Sequence, residues 1–296
     1  MAQVIRVNIA DESMKVIPAK YNKMFLTMFT NPKYKHAVLM PFIKAYLKKP
    51  DLDPKDVEIS DPHLPSDSVE EKHPIVDVFI TMPTEILHIE MQFIVSQETL
   101  DRFYFYHTKA FGGQLPSGKS YRKLKRVISL FILTQPAIDD DYYLHVFKPY
   151  DEVHGITMTQ KAVNVVLELS KLPEESDGST EWIWGSLFEA EEEAQLNMLE
   201  TTYPEVSGAV KAIKELSADP QFRREAFLIE KAKNDWLASI MDASEDGFEK
   251  GIGIGAQKGK LEMARNLLAT TSLSLDIIAS AAGLPLDVMK RELNLI

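Results

Sequence analysis

Residues 74–95 read PIVDVFITMPTEILHIEMQFIV. Two short runs rich in Val and Ile flank a turn containing Pro83, the pattern of a β-hairpin. Side chains alternate faces along a strand, so His88, Glu90 and Gln92 share one face of the second strand while Ile89, Met91 and Phe93 take the other. Folding about residues 83–85 sets Asp77 opposite residues 90–92, within one register step. A buried carboxylate costs several kcal/mol unless it is paired, hydrogen-bonded or bound to a metal, and two neighbouring ones repel. A hard dication such as Mg²⁺ relieves that repulsion with oxygen ligands and retains waters suited to attack a phosphodiester. Spacing equally allows the two acids to be rim charges of an ordinary hairpin, facing solvent or paired with Lys or Arg. His88 reads as a satisfied structural residue rather than a ligand.

Working outward, residues 19–49 carry apolar side chains at helical spacing, broken at Asn31-Pro32, and predict two helices. Residues 50–72 are rich in Asp, Pro and Ser and predict a connector with at most one short strand. Residues 97–114 predict a helix, 127–134 a strand apolar on both faces, and 142–148 one more strand. Beyond Met158 the pattern reads as helical almost throughout: 159–172, 181–201, 205–217, 221–242 and 256–270, then 274–282 and 286–293. The stretch KLPEESDGST, 171–180, marks a boundary between the two kinds of text.

The chain has 296 residues, 45% hydrophobic and 26% charged, enough for a large core and more than one unit. It contains no cysteine, which excludes disulfides, thiolate zinc and cysteine nucleophiles and fits a reducing cytosol. The opening MAQVIRVNIADESMK has no apolar leader pattern, and no apolar run approaches the roughly 20 residues of a membrane span. The expectation is a cytoplasmic protein with no membrane partner. A net charge of −11 argues against a surface devoted wholly to nucleic acid. One basic patch stands out, GKSYRKLKR, where Lys119, Arg122, Lys123, Lys125 and Arg126 fall within eight positions. They suit a grip on phosphates, or equally a solvated face. The acidic run 189–195 and Asp139 to Asp141 read as solvated surface. Gly247, Gly251, Gly255 and Gly259 recur every four residues without the spacing of a phosphate loop, and predict a helix-packing ridge or a hinge.

Asp77 followed by Ile89-Glu90-Met91-Gln92 resembles the motif of the PD-(D/E)XK nucleases, in the recombination-promoting nuclease and transposase branch. The helix with Phe25 and Phe29, Arg102 with Tyr104 and Tyr106, Gly118-Lys119-Ser120-Tyr121, the strand 127–133 and VVLELSKL at 165–172 extend the likeness over most of the chain. The resemblance implies an α/β (α+β) fold: a restriction-endonuclease-like core with a central mixed β-sheet flanked by helices, followed by an all-helical C-terminal region. It implies Asp77 and Glu90 as ligands of a divalent metal, with Gln92 standing where many relatives carry Lys. Asn22 replaces a frequent Asp of the N-terminal helix, and Leu26 a frequent basic residue.

The expected units are a nuclease-like core at 15–172, a helical region at 181–245, and a Gly-interrupted helix with a small tail at 246–296. The expected function is Mg²⁺-dependent DNA endonuclease activity in recombination, transposition or defence. Asp77, Glu90 and Gln92 would be catalytic, the basic stretch would hold DNA, and Asn22, Arg102 and Tyr104 would support the site. The C-terminal helices would serve packing or homo-oligomer formation. The rival is an interaction or assembly module on a weakened nuclease core, and a weaker one is a hydrolase of small phosphoesters.

Overall fold

A computed structural model describes residues 16–64, 76–96, 98–115, 117–270 and 274–295. The N-terminal 15 residues and Pro74-Ile75, with which the hairpin was expected to open, lie outside the described residues.

The first helix, α1 (Asn22–Thr30), stops where Asn31 caps a tight turn at Pro32, accepting a hydrogen bond from the Lys33 N–H, and α2 follows at Met40–Tyr46. A two-residue strand, β1 (Glu58–Ile59), leads to the hairpin of β2 (Val78–Thr81) and β3 (Glu85–Gln92). Then come α3 (Thr99–Gly112), β4 (Arg126–Leu133), β5 (Leu144–Phe147) and β6 (Ala162–Glu168). The strands form one mixed sheet, ordered β1-β2-β3-β4-β6-β5, in which β3, β4 and β6 run parallel.

The strand β6 corrects the helix expected over 159–172. Val163, Val165 and Val166 are β-branched, and all seven residues of β6 are buried, so an interior strand covered on both faces shows no alternation and mimics a buried helix. The helices α4 (Thr180–Glu189), α5 (Glu193–Thr202) and α6 (Ser207–Ala218) follow. The single helix expected over 181–201 is therefore two, parted at Ala190 and restarted by a capping box of Glu192 and Gln195.

The two faces of the sheet differ. Leu87, Ile89, Ile128, Leu130, Val163 and Val165 point into the main core with Phe25, Phe29, Phe42 and Trp184 from the helices. Fully burying an apolar side chain such as Phe contributes about 1.5–3 kcal/mol, so this layered face carries most of the stability. The opposite face is covered by α3, which packs on β4 and β6. There the register aligns His88, Ser129 and Asn164 in one row, Glu90, Phe131 and Val166 in the next, and Gln92, Leu133 and Glu168 in a third. Chemistry-bearing residues therefore collect on the α3 face, near the carboxyl ends of the parallel strands, where open α/β sheets bind ligands.

Two compact units are defined, residues 1–230 and 231–296. The helix α7 (Pro220–Thr270) runs from the first into the second and is helical through the spaced glycines. The second unit buries Ala264, Ile278, Ala279, Ala282 and Met289 between the end of α7 and the helices α8 (Leu275–Ala282) and α9 (Leu286–Glu292). The helix α8 ends at Gly283, whose φ of 63° lies in the left-handed region that closes a helix. No helix among the described residues is long and apolar enough to cross a membrane.

Candidate active site

The hairpin turns tightly, the Met82 N–H bonding to the Glu85 carbonyl, and its ladder begins at Val78 paired with Ile89. Asp77 lies one step beyond, opposite Glu90, as the spacing predicts. The Met91 N–H donates to Asp77 Oδ2 at 2.8 Å, and the Asp77 N–H donates to Glu90 Oε1 at 3.3 Å. Each carboxylate is thus oriented by the strand that carries the other. Glu90 is only 7% exposed, and Asp77 is half-buried.

Burial, then the negative charge of Glu90, pushes the Asp77 carboxyl up to about 7. Burial also pushes Glu90 up to about 7, against the Asp77 N–H and the positive charge of Arg102. Both acids are raised mainly by burial, Asp77 also by the charge of Glu90, and too little positive charge lies near them to offset it. Arg102 is exposed and acts on Glu90 through its field, with no ion-pair partner among the described residues. Tyr106, one turn along α3, faces the same carboxylates, its phenol raised by burial while Arg102 opposes Glu90 and Asp77.

Behind Glu90 runs a buried polar chain. His88 Nε2 lies 3.1 Å from Glu90 Oε1, His88 Nδ1 lies 3.3 Å from Ser129 Oγ, and Ser129 Oγ lies 2.9 Å from His107 Nδ1. Burial pushes His88 down to about 3, and burial with His88 beside it pushes His107 down to about 4. Both rings are therefore neutral. A neutral His88 that donates Nε2–H to Glu90 accepts the Ser129 hydroxyl at Nδ1, and Ser129 accepts Nδ1–H from His107. His88 is the satisfied structural residue that its sequence context suggests, and its partner is the candidate ligand itself. Ser129 is missed by a sequence reading because it sits in the apolar run of β4, and His107 lies on the buried side of α3.

Gln92 shares the face of Glu90, and its amide Nε2 donates to the Ile94 carbonyl at 2.7 Å. Asn22 and Leu26 line a separate cavity with Thr27 and Ile229, and no hydrogen bond ties Asn22 to the acidic pair among the described residues. Tyr104 is exposed and lines a cavity with Asp101 and Asn164, whereas the field of Arg102 falls on Glu90. Within the basic stretch, Lys119, Arg122 and Lys123 are exposed, Lys125 Nζ holds the Met82 carbonyl at 2.8 Å, and Arg126 faces Glu85 at 3.5 Å. Glu85 stands five residues before Glu90, so this end of the strand is about 17 Å from the acidic pair.

A second acidic group lies on the same face. Asp140, His145 and Glu168 bring their ligand atoms within 4.8 Å of one another. Asp139 to Asp141 are exposed, as expected, and Asp140 in addition pairs with Lys171 and His145. Lys171 Nζ sits between its acids, 2.7 Å from Glu168 and 3.3 Å from Asp140. Glu168, fully buried, also accepts the N–H groups of Ala137 and Ile138. The sequence signal for this group is an acid ending an apolar strand, hidden while that strand reads as a helix.

Asp77 and Glu90 supply hard oxygen donors with raised affinity for a positive charge and no ammonium or guanidinium in hydrogen-bond contact among the described residues, so the pair fits a divalent cation. No curated protein and no solved structure matches the chain. The profile of the PD-(D/E)XK nuclease family transposases does match, over residues 19–243, which takes in the whole sheet and the acidic pair. On that match, more than half of its length, this chain belongs to the PD-(D/E)XK nuclease family transposases.

Proposed function

We propose that the protein is a Mg²⁺-dependent DNA endonuclease that hydrolyses phosphodiester bonds at the Asp77 and Glu90 pair. The observation that carries this reading is the electrostatic state of the two carboxyls, Glu90 buried and Asp77 half-buried beside it, both raised to about 7. Asp77 and Glu90 would hold the cation, which when bound supplies positive charge to the scissile phosphate. His88 fixes the carboxylate of Glu90 by donating to Oε1, so the ligand oxygen stays oriented. Gln92, with its amide tethered to Ile94, offers its Oε1 to the attacking water and cannot supply the positive charge of a Lys. Arg102, exposed and acting on Glu90, contacts a substrate phosphate. Lys119, Arg122 and Lys123 grip the DNA backbone some way from the cut, while Lys125 and Arg126 brace the strand ends.

A plasmid-nicking assay with Mg²⁺ tests the reading. Wild type should nick and Asp77→Ala should not. Cleavage by both would place the activity outside this chain, and cleavage by neither would favour an interaction module on a nuclease scaffold, which the uncharged Asn22 away from the pair also suits.

A further inference from the structure

Beside α3, on the same sheet face as Glu90, lies a cavity of about 400 Å³. Its floor is the stacked pair Phe103 and Phe131, with centroids 4.1 Å apart, and Tyr104 and Phe147 stand at its edge with 60% and 47% of their surface exposed. Such rings, half in water at the mouth of an apolar cavity, offer faces for a planar ligand. Asn164 lines the same cavity from β6 and is only 9% exposed, yet its side-chain Oδ1 has no hydrogen-bond partner. An orphaned buried acceptor is unfavourable, and a ligand N–H removes that cost. The ligand implied is flat, aromatic and equipped with a donor at its edge. Lys148 lines the cavity too, its ammonium held by the neutral Gln160 at 3.0 Å, so its charge is not cancelled there by an acid. Asp101 on the other wall disfavours a phosphate inside.

Phe131 connects cavity and site: it is the register partner of Glu90, and its ring meets His88 edge-on at 5.5 Å. Asn164 lies in the His88 row two strands away, about 10 Å across the sheet. We infer that this cavity is a pocket for an unpaired nucleobase of the DNA held at the Asp77 and Glu90 pair, with Asn164 accepting a base N–H, Tyr104 and Phe147 stacking, and Lys148 meeting the attached phosphate. The inference rests on the nuclease reading for the identity of the strand.

Asp77→Ala protein, which would bind DNA without cutting it, is the background for the test. The probes are 2-aminopurine deoxyribonucleotide, whose fluorescence is quenched by stacking, and a fluorescein-labelled 12-mer, single-stranded or in duplex. The background protein should quench the nucleotide. Adding Phe147→Ala, on an exposed edge strand, should weaken binding of nucleotide and single strand about tenfold, as loss of one stacked base does, and change duplex binding less than twofold. Asn164→Ala should act likewise, and if it unfolds Phe147→Ala decides alone. No quenching, with single-strand affinity unmoved by Phe147→Ala, overturns the pocket even if wild type nicks plasmid. Phe147-dependent quenching in a protein that never nicks would keep the base site and sink the nuclease. A Phe147-dependent self-association in place of nucleotide binding would give the cavity to a second copy of the chain.

Discussion

Two acidic groups occupy one face of one sheet, near the carboxyl ends of β3 and β6, and they solve the same electrostatic problem differently. Glu168 and Asp140 have Lys171 between them, and Glu168 takes two further backbone N–H bonds. Against a burial penalty, the Tyr142 N–H, Lys171 and His145 hold Asp140 below its ordinary carboxylate range. Asp77 and Glu90 have backbone N–H groups and a histidine but no ammonium or guanidinium in contact among the described residues, and both are raised to about 7. Grouping of ligand atoms alone would choose Asp140, His145 and Glu168 as the metal centre. Charge balance favours the other pair as the proposed metal site, because a site that already contains its cation has little affinity for a second.

The largest effect that could break this contrast is on cleavage. Asp77→Ala and Glu90→Ala should each lower Mg²⁺-dependent nicking by about 10³-fold or more, as loss of a metal ligand removes several kcal/mol of transition-state stabilisation. Glu168→Ala should instead cost about 3 kcal/mol of stability in urea unfolding while the folded fraction still cuts. That figure is the low end for a broken buried pair, because Lys171 retains Asp140. Equal loss of cleavage from both groups would erase the distinction.

Metal stoichiometry sharpens it next. Calorimetry with Mg²⁺ should show a binding event that disappears in Glu90→Ala and survives in His145→Ala. The reverse pattern would move the centre to β6.

The sequence makes one of these groups legible and hides the other, for physical reasons. Asp77 and Glu90 interrupt β-branched runs on either side of a short turn, so fold, register and carboxylate pairing follow from alternation and loop length. Glu168 ends a strand buried on both faces, which has no alternation to read, and losing β6 also loses Asn164 and the cavity it lines. Asp140 stands among other aspartates, and the residues that distinguish it, His145 and Lys171, reach it only through tertiary packing. The basic stretch is legible as charge, but which of its members are spent on the hairpin carbonyl and Glu85 depends on where β4 begins.

The pH dependence of stability separates the groups more gently. Asp77 and Glu90 ionise near their ordinary values of 3.8 and 4.5 when unfolded and near 7 when folded. Between those values the folded chain keeps protons that the unfolded chain has released. Their contribution to stability therefore falls as pH rises from about 4 to 7 and is fully lost above 7. Glu90→Gln should flatten this decline in metal-free buffer. Mg²⁺, which needs ionised ligands, should raise Tm by more at pH 8 than at pH 6, and a shift independent of pH would contradict the assignment.

The smallest effect tests the cause of the contrast directly. If Lys171 is what makes the β6 group indifferent to metal, then Lys171→Met should leave Asp140, His145 and Glu168 as two carboxylates and an imidazole without an internal cation. That donor set suits a transition metal better than Mg²⁺, so Mn²⁺ is the probe. A second and weak Mn²⁺ binding event should appear in calorimetry of Lys171→Met and vanish in Lys171→Met with His145→Ala. Glu168 would still be tied to the N–H groups of Ala137 and Ile138, which compete for its oxygen, and this keeps the new site weaker than the pair on β3. If a correctly folded Lys171→Met binds no additional ion, the ammonium is not the deciding difference. Those backbone bonds alone would then be what separates a structural acid from a metal ligand on this sheet.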